Sequence, residues 1–136
     1  MGTWYRDPAG KIHKSPKDPL VDINKVVPDF SLFEESRFYR PMGGTVFKMI
    51  PVETFRGCPF SCTYCNSPSQ RTFSKDNGLG NFLRRKTMEN LQAELKQYQK
   101  LYDPNFFYFV DDVFLARPKS EIFEFCDMYE EFSLPF

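Results

Sequence analysis

The chain has 136 residues, 41% of them hydrophobic and 18% aromatic, which is enough apolar material for one packed domain and too much for a disordered chain. Lys plus Arg and Asp plus Glu each number 18, so the net charge is zero and no basic balance points to nucleic acid or an anionic membrane as partner. No apolar run reaches the roughly 18 residues of a membrane span, and the polar, Pro-rich first 20 residues are unlike a secretory signal.

From Met1 to Pro28 the chain, with WYRDPAGKIHKSPKDPLVDINKVVP at residues 4–28, lacks sustained periodicity and reads as a connector with a short hairpin turning at Asp7 to Gly10. Trp4, Tyr5, Ile12, Leu20, Val21 and Ile23 make it apolar enough to lie on a surface. Between Pro28 and Gly44 the expectation is a short helix followed by a loop, carrying Phe30, Leu32, Phe33, Phe38 and Tyr39. Thr45 to Val52, TVFKMIPV, is rich in β-formers and is read as the first strand. It leads directly into Glu53-Thr54-Phe55-Arg56-Gly57, so the next segment hangs from the carboxyl end of a strand, where ligands bind in α/β architectures.

That segment holds three of the four cysteines in eight residues, Cys58, Cys62 and Cys65, a CxxxCxxC run. Cysteines so close are badly placed for disulfides with one another, and their spacing points to metal or cluster ligation. A tetrahedral zinc needs a fourth ligand, and only His13 and Cys126, dozens of residues away, remain. Three thiolates on one tight loop without a fourth partner suit a [4Fe-4S] cubane whose fourth iron is left open for a small molecule. Gly57 and Pro59 fit the sharp turn such a loop requires. Thiolates of this kind also need a reducing compartment, so a cytoplasmic location is expected.

Ser67 to Phe82 is polar with two glycines and reads as a solvent-facing loop. Gly78-Leu79-Gly80 alone is too weak to be a phosphate loop. Thr87 can cap a helix running to about Tyr102, because Met88, Leu91, Leu95, Tyr98 and Tyr102 recur at helical spacing opposite a polar face, and Asp103-Pro104-Asn105 ends it. Phe106 to Val113, FFYFVDDV, is the second strand, and its aromatic run fits burial on both faces of a parallel sheet. Asp111 and Asp112 stand at its carboxyl end. Pro118 opens a further helix in which Ile122, Phe125, Cys126, Tyr129 and Phe132 share a face, with Cys126 expected as a small core residue. Ser133 to Phe136 looks like the opening of a third strand.

At Cys58, Cys62 and Cys65, with the aromatic Tyr64 just before the last cysteine, the sequence resembles the radical S-adenosylmethionine (SAM) superfamily. The resemblance implies that the three cysteines hold the cluster, that the open iron chelates the methionine part of SAM, and that Tyr64 lies beside the adenine. It also implies that Asp111 and Asp112 stand where the superfamily contacts the SAM amino group, usually through a Gly-Gly-Glu-like segment that is Val-Asp-Asp here; the other reading is that one aspartate caps the following loop. The flanks RDPAG, PLVDINKVVPDF, RFYRP, PVETFRGCPFSCTYCNSP and FFYFVDDVFLA resemble the cobalamin-associated branch of the superfamily over nearly the whole chain. Cobalamin itself would belong to a domain outside these residues. The implied reaction is one-electron cleavage of SAM by the reduced cluster, starting radical chemistry such as methyl transfer or rearrangement, with an external electron donor of the flavodoxin or ferredoxin type.

The order strand, cysteine loop, helix, strand, helix predicts an α/β fold with a parallel sheet, and by resemblance the first two βα units of an incomplete radical SAM (β/α) barrel. Residues 1–44 are expected to form the connector and 45–136 the truncated core, with the remainder of the barrel absent. Alone, such a chain is expected to bind SAM weakly and to turn nothing over, with Phe106 to Phe109 left as an exposed edge. The alternative is a non-catalytic zinc- or cluster-binding interaction module.

Overall fold

The structure, a computed structural model, describes residues 3–136, so Met1 and Gly2 of the connector lie outside the described residues. The expected hairpin forms from β1 (Trp4–Arg6) and β2 (Ile12–Lys14), paired antiparallel with Trp4 opposite Lys14. Asp7 organises its turn: one carboxylate oxygen accepts from the Lys11 amide at 2.9 Å and the other meets His13 Nε2 at 2.8 Å. Beyond the hairpin, Ile23 is buried and Asn24 bridges to later segments, donating to the Arg85 carbonyl and accepting from the Thr87 amide. The connector does lie on a surface.

After a 3-10 helix at Glu35–Phe38 comes an unexpected strand, β3 (Tyr39–Met42), which pairs antiparallel with β4 (Thr45–Val52). Gly43 and Gly44, with φ of 58° and 80°, make the tight connection that a residue with a side chain resists. β3 lay hidden because RFYRP has no apolar alternation and contains proline, which strands tolerate at a sheet edge. A second strand proline, Pro51, lies past the last rung of the β3–β4 ladder at Lys48, where no partner needs its missing N–H.

β4 is followed by β5 (Phe55–Arg56), the cysteine loop, α1 (Ser67–Asp76), β6 (Arg84–Arg85), α2 (Met88–Tyr102), β7 (Phe106–Phe109) and α3 (Lys119–Tyr129). β7 pairs parallel with β4, Ile50 opposite Phe107, giving a mixed three-stranded sheet in the order β3-β4-β7 rather than a closed barrel. The expected solvent loop at 67–82 is corrected: its first ten residues form α1, which has Pro68 in its first turn and a single apolar side chain, Phe73. One sheet face packs on α2 and α3, where Ile50, Val52 and Phe107 meet Leu91, Leu95, Tyr98, Phe125, Tyr129 and Phe132.

β7 is shorter than expected and is not buried on both faces, since Tyr108 is half-exposed on the side away from the helices. Cys126 is exposed rather than in the core, because Phe125 and Tyr129 point inward and Cys126 is one step, about 100°, round the helix from Phe125. Residues 133–136 form no strand, although the Pro135 carbonyl accepts from the Phe107 amide at 3.1 Å and Phe136 packs edge-on against Phe109, Phe125 and Tyr129. No helix among the described residues is long and apolar enough to cross a membrane.

Candidate functional site

The cysteine loop leaves the carboxyl end of β4 through a tightly bonded segment. Thr54 and Phe55 are buried, and the Asp111 carboxylate beyond β7 gathers them: Oδ1 accepts from the Thr54 amide at 2.6 Å and the Phe55 amide at 2.9 Å. Its Oδ2 accepts from the Thr54 hydroxyl and faces Arg117 Nη2 at 3.3 Å, which also donates to Thr54 Oγ1 at 2.6 Å. The side chains of this ion pair are 2% and 1% exposed. Burial pushes the Arg117 guanidinium below its ordinary pKa, and the neighbouring Asp111 charge opposes the shift. The Phe114 carbonyl and ring complete the shell around Arg117.

Asp112 takes a different part. It is exposed, and its Oδ2 accepts from the Gly57 amide at 2.9 Å. Gly57 has φ of 94°, and a Cβ there would stand 2.5 Å from the Phe82 carbonyl oxygen, so only glycine can enter the loop along this path. Beside it, β5 pairs antiparallel with β6, Phe55 opposite Arg85.

Within the loop the Cys65 amide donates to the Cys62 carbonyl at 3.2 Å, and the Ser67 amide at the start of α1 donates to Cys65 Sγ at 3.4 Å. Arg71, one turn into α1, reaches back with Nη1 to the carbonyls of Cys58 and Pro59 at 3.2 and 2.7 Å, and with Nη2 to Ser61 Oγ at 2.9 Å. Arg71 and Arg117 are site residues that the sequence alone did not single out. Pro68, three residues after Cys65, is suited to a helix start and could have marked α1, but it gives no sign of the reach of Arg71 back to the loop.

All four cysteines are free, with Cys58 half-buried and Cys62 and Cys65 exposed. Tyr64, the expected adenine contact, is 92% exposed. Among the described residues no three Cys, His, Asp or Glu side chains converge where a single ion could be held. His13 is occupied by Asp7 in the N-terminal hairpin, and Cys126 sits on α3. A cubane asks for something else, since each thiolate bonds a different iron. The donor set fits that demand: three soft thiols on one loop, its first residues held by Arg71 and Asp112 and its last two cysteines joined by a backbone bond, with an amide already directed at Cys65 Sγ. Their exposure leaves the side chains free to turn toward a common centre. Of the two aspartates expected beside the SAM amino group, Asp111 is enclosed with both oxygens engaged, and only Asp112 is open to a ligand.

The chain is 27% identical over 124 residues to an uncharacterized methyltransferase of Pyrococcus horikoshii. The alignment takes in 90% of this chain and 24% of that relative, so the chain spans about a quarter of its length. No family model matches the chain, and no solved structure does. What the comparisons add to the geometry is a likeness, along nearly all of this chain, to one stretch of a protein named as a methyltransferase.

Proposed function

We propose that the chain is part of a radical SAM enzyme that transfers a methyl group, with Cys58, Cys62 and Cys65 holding a [4Fe-4S] cluster. The observation that carries the reading is the CxxxCxxC loop itself, with two of its thiols open to solvent, standing at the carboxyl end of a parallel strand pair. The methyltransferase name of the relative supports the choice of methyl transfer, and the resemblance of Tyr64 and the cysteines to the superfamily supports the choice of cofactor. When bound, the cluster supplies the electron that cleaves SAM, delivered by an external donor protein. Cobalamin, implied for a domain outside these residues, takes no part in the proposal.

The chain's own residues have distinct tasks. Arg71 and the Asp112–Gly57 bond hold the first half of the loop, Gly57 to Ser61, and tie it to α1, while the Cys65–Cys62 backbone bond closes the second half. Asp111 and Arg117 anchor the strand end from which the loop departs. Asp112 retains one exposed oxygen for the SAM amino group, and Tyr64 offers a ring for the adenine face. Anaerobic reconstitution with iron and sulfide tests the ligand set: about four irons per chain are expected, with a broad thiolate-to-iron absorption band lost when any one of the three cysteines becomes Ala. A full cluster in all three variants, or one tetrahedral zinc and no cluster under the same conditions, overturns the assignment.

A further inference from the structure

The sheet face turned away from α2 and α3 and the segment 30–40, whose Phe30 and Phe38 pack against Tyr102 of α2, together line a cavity of about 640 Å³. That is the size of a small-molecule site. Its floor is Met49 and Pro51 of β4 with Tyr108 and Val110 at the end of β7, the residues that alternate with the helix-facing core. Phe33 and Phe38 contribute aromatic walls. Phe33, Tyr108 and Val110 remain 45 to 53% exposed, more apolar surface than a closed core leaves.

Two guanidiniums, Arg37 and Arg40, line the same cavity. Of the nearby charges, Lys48 pairs with Glu35 at 2.7 Å, and Glu35 also accepts from the Tyr39 hydroxyl, while Glu34 is exposed on the segment before Arg37. Neither Arg37 nor Arg40 has a side-chain partner among the described residues. Two unmatched positive forks at the rim of an aromatic hollow are complementary to one class of molecule, an apolar body with a carboxylate or phosphate at one end.

We infer that this cavity binds a small amphipathic anion, its apolar body against Phe33, Tyr108 and Val110 and its acid group on Arg37 and Arg40. Position links the cavity to the cysteine loop. Val110 and Asp112 are two residues apart on the chain leaving β7, about 7 Å, so a molecule seated here lies next to the end of the sheet from which the loop hangs. Its identification as the substrate rests on the proposed function; the binding itself does not.

The test is calorimetric titration of the 136-residue chain with 2-naphthoate, 2-naphthyl phosphate and the neutral 2-naphthalenemethanol. The expected result is saturable binding of one anion per chain, with the neutral alcohol at least about tenfold weaker. The exposed-site variant R37A/R40A should lower anion affinity to that of the alcohol while leaving the alcohol unchanged, and raised salt should do the same in part. Binding of either anion in this pattern supports the site, and their ratio assigns the head group. Equal affinity for acid and alcohol, indifference to R37A/R40A, or no binding up to the solubility limit overturns it. A chain that takes up iron but fails this titration loses the substrate class and keeps the cluster, whereas one that binds naphthoate without forming a cluster keeps the pocket and loses the enzyme reading.

Discussion

Asp111 accepts four hydrogen bonds or ion-pair contacts from Thr54, Phe55 and Arg117 while almost fully enclosed, and its two oxygens have no capacity left for a ligand. Replacing it with Ala strands a buried guanidinium and two amides, so D111A is expected to cost roughly 3–5 kcal/mol. Chemical denaturation checks this. Adding R117M should recover much of the loss by removing the uncompensated charge, and a D111A cost under about 1 kcal/mol contradicts the anchoring role. At this scale the sequence was legible at Gly57, where the expected sharp turn is present with φ of 94° and no room for a Cβ. It was silent where a side chain acts across the fold: nothing near Arg71 says that it will reach ten to thirteen residues back to the loop. The aspartate pair was located, but the sequence does not tell which of the two is enclosed and which stays open, because that follows from how the chain leaves the β4–β7 pair.

Among the elements, α2 is the one most legible in sequence, because its apolar stripe is long and both ends are marked. Thr87 Oγ1 accepts from the Asn90 amide at 3.2 Å, and Asp103 closes the helix in the left-handed region with φ of 45°. Loss of that cap in T87A is expected to cost about 1 kcal/mol, measured by denaturant unfolding; no change would mean that the Thr87 amide bond to Asn24 alone sets the helix start. α1 escaped notice for the opposite reason. Its one large apolar side chain, Phe73, is half-exposed, and the helix is held by Asn77 and Gly78 closing its carboxyl end and by Arg71 rather than by a stripe. β3 escaped because its partner is a neighbour in sequence joined by Gly43-Gly44, a hairpin signal overshadowed by Pro41.

Over the whole molecule, burial shapes how stability depends on pH. Tyr129 is buried with no partner for its hydroxyl, and burial pushes its pKa up to about 12. Tyr98 shifts upward too, through burial first and then the nearby Glu94 carboxylate. Unfolded tyrosine titrates near 10, so between about pH 10 and 12 the unfolded chain binds fewer protons than the folded one and stability must fall as pH rises. Below about pH 10 these groups contribute no slope. Y129F should flatten part of that alkaline decline and be neutral to stabilising by about 1 kcal/mol at pH 7, since it removes an unsatisfied hydroxyl. Urea unfolding from pH 7 to 12 measures both, and an unchanged alkaline slope in Y129F contradicts the burial argument. The parallel pairing behind this core was legible from two apolar runs separated by a helix; the half-exposed Tyr108 face was not, because aromatic composition alone does not tell which side of a strand is covered.

In the proposed function, the three thiols of the cysteine loop hold a cluster with one iron open to SAM. The most direct measurement of this is the electron paramagnetic resonance spectrum of the anaerobically reconstituted, reduced chain, recorded before and after SAM is added. A [4Fe-4S] signal that changes shape when SAM is added is expected of the native sequence. A cluster spectrum indifferent to saturating SAM contradicts the proposal.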